Sequence, residues 1–128
     1  MIEVAQEKIV MNGITIWQPD KGLTYNFETT YTEDSTRIQS GTGYFTPLFT
    51  VEQLGYTATN IPASKVKEIL QVITKGNPFS LRYYSLYYGT WRTDTFYVGQ
   101  GQSSIGELIE DNEYCESFSF NMTGVNPI

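Results

Sequence analysis

The stretch LRYYSLYYGTWRTDTFYVG, residues 81–99, constrains the fold more than any other in this chain. Seven of its nineteen residues are aromatic, and they fall on both parities. A strand sends successive side chains to opposite faces, so a sheet with a single dry face needs aromatics only at alternate positions. The stretch reads as two strands, roughly 79–88 and 91–99, joined at Gly89-Thr90. Phe79, Leu81, Tyr83 and Tyr87 share one face, and Arg82, Tyr84, Leu86 and Tyr88 share the other. The second face needs a cover. Three covers are open: the chain itself, a sugar ring stacked on exposed Tyr and Trp, or a neighbouring subunit, since Tyr, Trp and Arg are enriched at interfaces.

The rest of the chain supplies more strands and one helix. Asn12-Gly13 is the strongest short hairpin signal, and it turns IEVAQEKIVM, with Val4, Ile9 and Val10, into ITIWQP. LTYNFET alternates Leu23, Tyr25 and Phe27 with polar residues, as a half-buried strand does. Residues 30–43 are polar and rich in Ser and Thr, too long for a tight turn, and read as an extended loop or an assembly arm. YFTPLFTVEQLGYTATN returns to strand, with Pro47 marking an edge or a bulge. The segment of about 62–75 is a helix: Pro62 suits the first helical position, and Val66, Ile69, Leu70 and Ile73 form one apolar stripe. Gly76 supplies its stop.

Residues 100–112 read as an acidic loop. The final strand, from Glu113 to Val125, sends Tyr114, Phe118, Phe120 and Met122 one way and Cys115, Ser117, Ser119 and Asn121 the other. The expected fold is therefore a single domain over residues 1–128 of the α+β class. It is a mostly antiparallel β-sandwich or open barrel flanked by one helix.

Charge and composition narrow the chemistry. Residues 1–92 sum to zero, while residues 93–128 carry Asp94, Glu107, Glu110, Asp111, Glu113 and Glu116 with no Lys or Arg. The net charge of −6 thus sits wholly on the last third, a surface that repels phosphate backbones, so specific nucleic-acid binding is not expected. Glu107, Glu110, Asp111 and Glu113 form an acidic surface; calcium is the cation they would suit, but the EF-hand spacing is missing. The chain has no histidine, which removes Ser-His-Asp and Cys-His catalysis and the commonest zinc ligand.

Cys115 has no basic neighbour in sequence to activate it, and VGQGQSSIG lacks the spacing and the lysine of a phosphate loop. No enzyme activity, cofactor or metal is expected. No apolar run approaches the roughly 20 residues of a membrane span, and the N-terminus lacks the apolar core of a signal peptide. With one cysteine, the expected setting is a cytoplasm or a particle assembled there.

In order along the chain, MNGITIWQP, DSTRIQSGTGYF, IPASKVKEILQVI, FSLRYYSLYYGTWRTDTFYVG and SFSFNMTGV resemble a family of small proteins encoded among the structural, tail-region genes of tailed bacteriophages and prophages of Gram-positive hosts. The likeness spans residues 11–125 and is sharpest over Arg92–Gly99; the acidic 107–116 loop departs from it. At the level of element order the chain is also similar to phage tail-tube and distal-tail proteins.

The resemblance implies a virion component assembled in the host cytoplasm. It implies self-association, possible as a hexameric ring, together with contacts to other tail proteins. Arg37, Tyr84, Tyr88, Trp91 and Arg92 are the candidate interface residues. Two alternatives stand beside it: a glycan-binding sandwich that uses the exposed Tyr and Trp, and a head-to-tail neck protein.

Overall fold

The computed structural model describes residues 8–20, 23–32, 36–37, 43–44 and 46–128. Ten strands and one helix run in the order β1 (Val10–Met11), β2 (Ile14–Thr15), β3 (Thr24–Tyr31), β4 (Thr36–Arg37), β5 (Gly43–Tyr44), β6 (Pro47–Pro62), α1 (Ala63–Ile73), β7 (Phe79–Ser85), β8 (Thr90–Tyr97), β9 (Gly101–Ile105) and β10 (Tyr114–Gly124) among the described residues. Every pairing is antiparallel. The protein has an α+β fold, mostly antiparallel sheet with one flanking helix.

The main sheet has the order β2-β1-β7-β8-β10-β6-β3, with β9 added to β10. One edge of β10 pairs with β6 from Tyr114 to Thr123. Its other edge is shared: β9 takes Cys115–Phe120, and β8 takes only Thr123 and Gly124. The β7–β8 ribbon therefore runs past the end of β10 and packs there against the β3–β6 ribbon. Glu52 of β6 consequently meets Tyr83 and Ser85 of β7, although β8 and β10 lie between these strands in the sheet order. The fold is sandwich-like in packing, built from one sheet whose strand order is an open path from β2 to β3.

The core fills the space so enclosed. Tyr56 stacks on Phe120 at 4.8 Å and meets Phe118 edge-on at 6.0 Å. Tyr83 stands edge-on to Phe96 at 5.0 Å. Val66, Ile69 and Ile73 of α1 pack into the same cluster. Such offset and edge-to-face pairs suit the ring quadrupoles better than a face-to-face sandwich. Leu70, expected in the apolar stripe, lies on the flank of the helix and stays partly exposed.

Local chemistry sets the element ends. Asn12 and Gly13 take φ of 51° and 80°, the left-handed pair that the hairpin requires. Pro62 ends β6 and caps α1 directly, one residue before the expected position. The Ala63 N–H donates to the Glu113 carbonyl at 3.1 Å and so satisfies one orphan donor of the first turn. The helix stops at Ile73 and a 3-10 turn, Thr74–Gly76, follows; it is shorter than the 62–75 expected. Pro47 opens β6 opposite a register shift between Thr30 and Tyr31, in a stretch that β3 pairs and β10 does not reach, so both the bulge and the edge position expected there hold.

Four expectations change. The aromatic strands end earlier, at Ser85 and Tyr97, and Tyr87 sits in the intervening turn instead of sharing the buried face of Tyr83. The acidic loop of 100–112 contains strand β9, because Gly101–Ile105 finds the free edge of β10. Phe27 is 70% exposed, since its stretch of β3 and β6 runs past the end of β10 and lacks a cover.

Cys115, read onto the polar face, is buried at 6%. The register places Asn60 opposite Glu116, and both strands change parity there. Up to that point Leu54, Tyr56, Ala58, Phe118, Phe120 and Met122 face inward; beyond it Ile61 and Cys115 do. Asn60 absorbs the irregularity at a φ of 51°.

Val4 lies outside the described residues, as does most of the 30–43 segment. Within that segment Thr30 and Tyr31 belong to β3, and Thr36–Arg37 pairs with Gly43–Tyr44.

Candidate functional site

Among the described residues, one charged side chain is buried in the core. Glu52 alternates with Leu54, Tyr56 and Ala58 on the inward face of β6 and is 2% exposed. Its carboxylate accepts three hydroxyl hydrogen bonds: Tyr83 donates to Oε1, Tyr25 to Oε2, and Ser85 to Oε2 at 2.6 Å. A carboxylate only accepts, and three donors from two other strands satisfy it without an ion pair. Ser85 Oγ in turn accepts from the Tyr88 N–H at 3.3 Å, which links the network to the β7–β8 turn. Burial, and then the hydrogen bond to Glu52, push the Tyr83 hydroxyl far above its ordinary range; the same causes raise Tyr25. Both stay protonated as donors. The network ties β3, β6 and β7 together.

An open groove of about 510 Å³ begins beside this network. Tyr25, Phe27, Leu86 and Tyr87 form its apolar walls, and Thr29 and Thr50 share a 2.8 Å hydroxyl hydrogen bond on its floor. The Ile128 N–H donates to the Thr50 carbonyl at 2.9 Å and brings the end of the chain to the same place.

The candidate interface residues do not form a single face. Tyr84 and Trp91 are directly opposed in the register and pack edge to face at 6.0 Å on the outer side of the ribbon. The Arg82 guanidinium lies 5.5 Å from the Trp91 ring centroid. Arg92 is opposed to Tyr83 and so belongs to the inner side. There its guanidinium sits 3.8 Å over Tyr88, and Nη2 makes a long 3.7 Å ion pair with Asp94. Tyr87 and Tyr88 pack at right angles at the turn itself, 4.8 Å apart. The tip of this hairpin therefore carries a wrapped cluster of rings and arginines. Arg37 is in β4, and its side chain is outside the described residues.

Glu107, Glu110, Asp111 and Glu113 are all exposed, between β9 and β10. Among the described residues no three His, Cys, Asp or Glu side chains are grouped so as to hold a metal ion. Three large apolar side chains accompany the acids: Ile105, Leu108 (80% exposed) and Ile109. Asp111 and Glu113 share a cleft with Lys67 of α1, whereas Glu107 and Glu110 do not line it.

No family model and no curated protein matches this chain. The case for function therefore rests on the residues and their geometry. Sequence reasoning missed Glu52, although a signal was present: an acidic residue stands where strand alternation calls for an apolar one.

Proposed function

We propose that this protein is a non-enzymatic structural subunit that acts by self-assembly. Its resemblance to tail-region proteins makes a component of a phage tail the best-supported role, whether tube, distal tail or tail completion. One observation carries the reading. Two hairpin ribbons run past the covered core, and both present large apolar side chains to solvent: Phe27, Tyr31, Leu48 and Phe49 on β3–β6, and Tyr84, Leu86, Tyr87 and Tyr88 on β7–β8. Monomeric proteins rarely expose apolar groups in such concentration, and contact surfaces do. A closed ring, of order six by analogy, would cover both ribbons. The acid-rich last third fits passage of nucleic acid without adhesion.

The geometry weighs against the glycan-binding alternative. A sugar platform needs open ring faces, and their number is reduced here: Arg82 lies over one face of Trp91, and Tyr84 with Trp91 and Tyr87 with Tyr88 meet edge to face. The two buried oxygens of Glu52 are taken up by hydroxyl donors, which suits a structural role.

Light scattering coupled to size exclusion, over a concentration series with negative-stain imaging, tests the proposal. Rings or tubes of fixed subunit number are expected. Replacing Tyr88 and Trp91 with Ala is expected to impair assembly more than monomer folding. A strict monomer at high concentration would refute the reading.

A further inference from the structure

We infer that copies of this chain link head to tail by strand addition: residues 2–6 of one copy pair antiparallel with the free edge of β9 in the next and lay Ile2 and Val4 into the trough between β9 and α1. This rests on the self-assembly reading above and specifies its joint.

The acceptor is built into the fold. Among the described residues β9 pairs with β10 alone, so its other edge is open. All five of its residues are exposed, and none is a charged residue or a proline, the usual protections of an edge. On the face it shares with Phe118 and Phe120 it carries only Gly101 and Ser103, with Ile105 at its end. These small residues leave a gap beside the helix. Two adjoining cavities, of about 410 and 450 Å³, lie between α1 and β9 and share Leu70, Thr74 and Ser103. Core side chains line them: Ile73 and Phe118 in the first, Val66 and Cys115 in the second. An unpaired edge beside an apolar trough suits an added strand, whose backbone bonds give affinity and whose alternate side chains fill pockets.

The donor precedes the described chain. In Ile2-Glu3-Val4-Ala5-Gln6 the two large apolar residues stand two apart, about 7 Å along a strand and on one face. Placing Ile2 opposite Ile105 and Val4 opposite Ser103 covers Ile105, which is 66% exposed, and puts Val4 at the middle of the trough. The same register brings Glu7 to the end that Lys75 and Gln100 line, so the charges match as well. A second copy is the acceptor because of direction. Val10 lies opposite Arg82, so the chain before it heads for the Ser85 end of β7, which is bonded to Glu52. Glu52 adjoins Gln53, the partner of Thr123, whereas the trough lies over Phe118 and Cys115, towards the other end of β10. Each segment thus points away from its own trough. Donor and acceptor on different surfaces make a heterologous contact, which closes into a ring or runs on as a filament.

The test removes each half in the full chain, with folding checked by circular dichroism. Ile2→Asp/Val4→Asp in the donor and Leu70→Asp in the acceptor should each raise the concentration for half-assembly at least about tenfold, as loss of a buried apolar anchor does. Mixed in equal amounts where each alone is monomeric, the two variants should form dimers and nothing larger, since one keeps its strand and the other its trough. Should Leu70→Asp fail to fold, Ser103→Trp, at an exposed position of β9, fills the trough and takes its place. A wild type that assembles while either variant assembles equally well overturns this joint and leaves the self-assembly reading standing. Loss in both variants with no dimer on mixing also overturns it. A wild type that stays monomeric overturns the self-assembly reading itself.

Discussion

Tyr83→Phe isolates one link of the Glu52 network. The substitution keeps the ring that stands edge-on to Phe96 at 5.0 Å and removes only the hydroxyl that donates to Oε1. Glu52 is 2% exposed, so no bulk water replaces the lost donor. A hydrogen bond to a charged group contributes about 1.5–3 kcal/mol, and leaving a buried acceptor short of a donor puts the cost in that range. With a urea dependence of about 2 kcal/mol per molar for a domain of this size, the unfolding midpoint should fall by about 1 M. The slope should not change.

The same substitution in a Glu52→Gln background should cost clearly less, because the amide offers no full charge to Tyr83. The resulting coupling should be about 1 kcal/mol or more. Urea unfolding followed by tryptophan fluorescence measures all four corners of the cycle. A midpoint shift under about 0.2 M for Tyr83→Phe, or equal losses in both backgrounds, would refute the account of the network.

Three further outcomes are expected. Burial, with the charge of Asp20 in addition, raises the hydroxyl of Tyr56 above its ordinary value of 10.0, and burial and Glu52 raise that of Tyr83. A raised folded value means that the unfolded chain loses the proton first. The stability these groups contribute is complete below pH 10 and falls as pH rises towards their folded values, at about 1.4 kcal/mol per pH unit for each group. Absorbance at high pH should therefore show at least two tyrosines, Tyr56 and Tyr83, that ionise only on unfolding; ionisation of all tyrosines in the folded state would contradict this. Asn60→Val should destabilise by about 1–2 kcal/mol, because a β-branched residue resists the left-handed backbone at φ 51°, while Asn60→Gly should be near neutral. Ile69→Ala, at a fully buried position under the sheet, should cost about 2–5 kcal/mol in thermal or urea unfolding.

Much of the fold was legible because it rests on local chemistry. Alternation marks β3 and β10, aromatic density marks β7 and β8, the Asn12-Gly13 pair marks the first hairpin, and Val66, Ile69 and Ile73 mark the buried stripe of the helix. These signals depend on backbone geometry and on side-chain period, which a sequence carries in full. The inward set of β7, Phe79, Leu81 and Tyr83, follows from period 2 alone. So does the conclusion that its outer face, with Arg82 and Tyr84, needs a separate account.

Long-range pairing decided the rest. Gly101–Ile105 has weak strand character and is a strand because β8 leaves most of one edge of β10 open. Cys115 is buried because Asn60 and Glu116 meet across two strands and both change parity there, which neither strand reveals by itself. Arg92 and Trp91 are adjacent in sequence but lie on opposite faces, one beside the Glu52 network and the other half-buried beside Tyr84 and Arg82. Glu52 shows the division most clearly. Its place in the alternation is written in the chain, but the three hydroxyls that make its burial tolerable come from positions 25, 83 and 85. Only the curl of the sheet brings them to one point, because a buried carboxylate is stable where donors converge, and that convergence is a property of the tertiary fold.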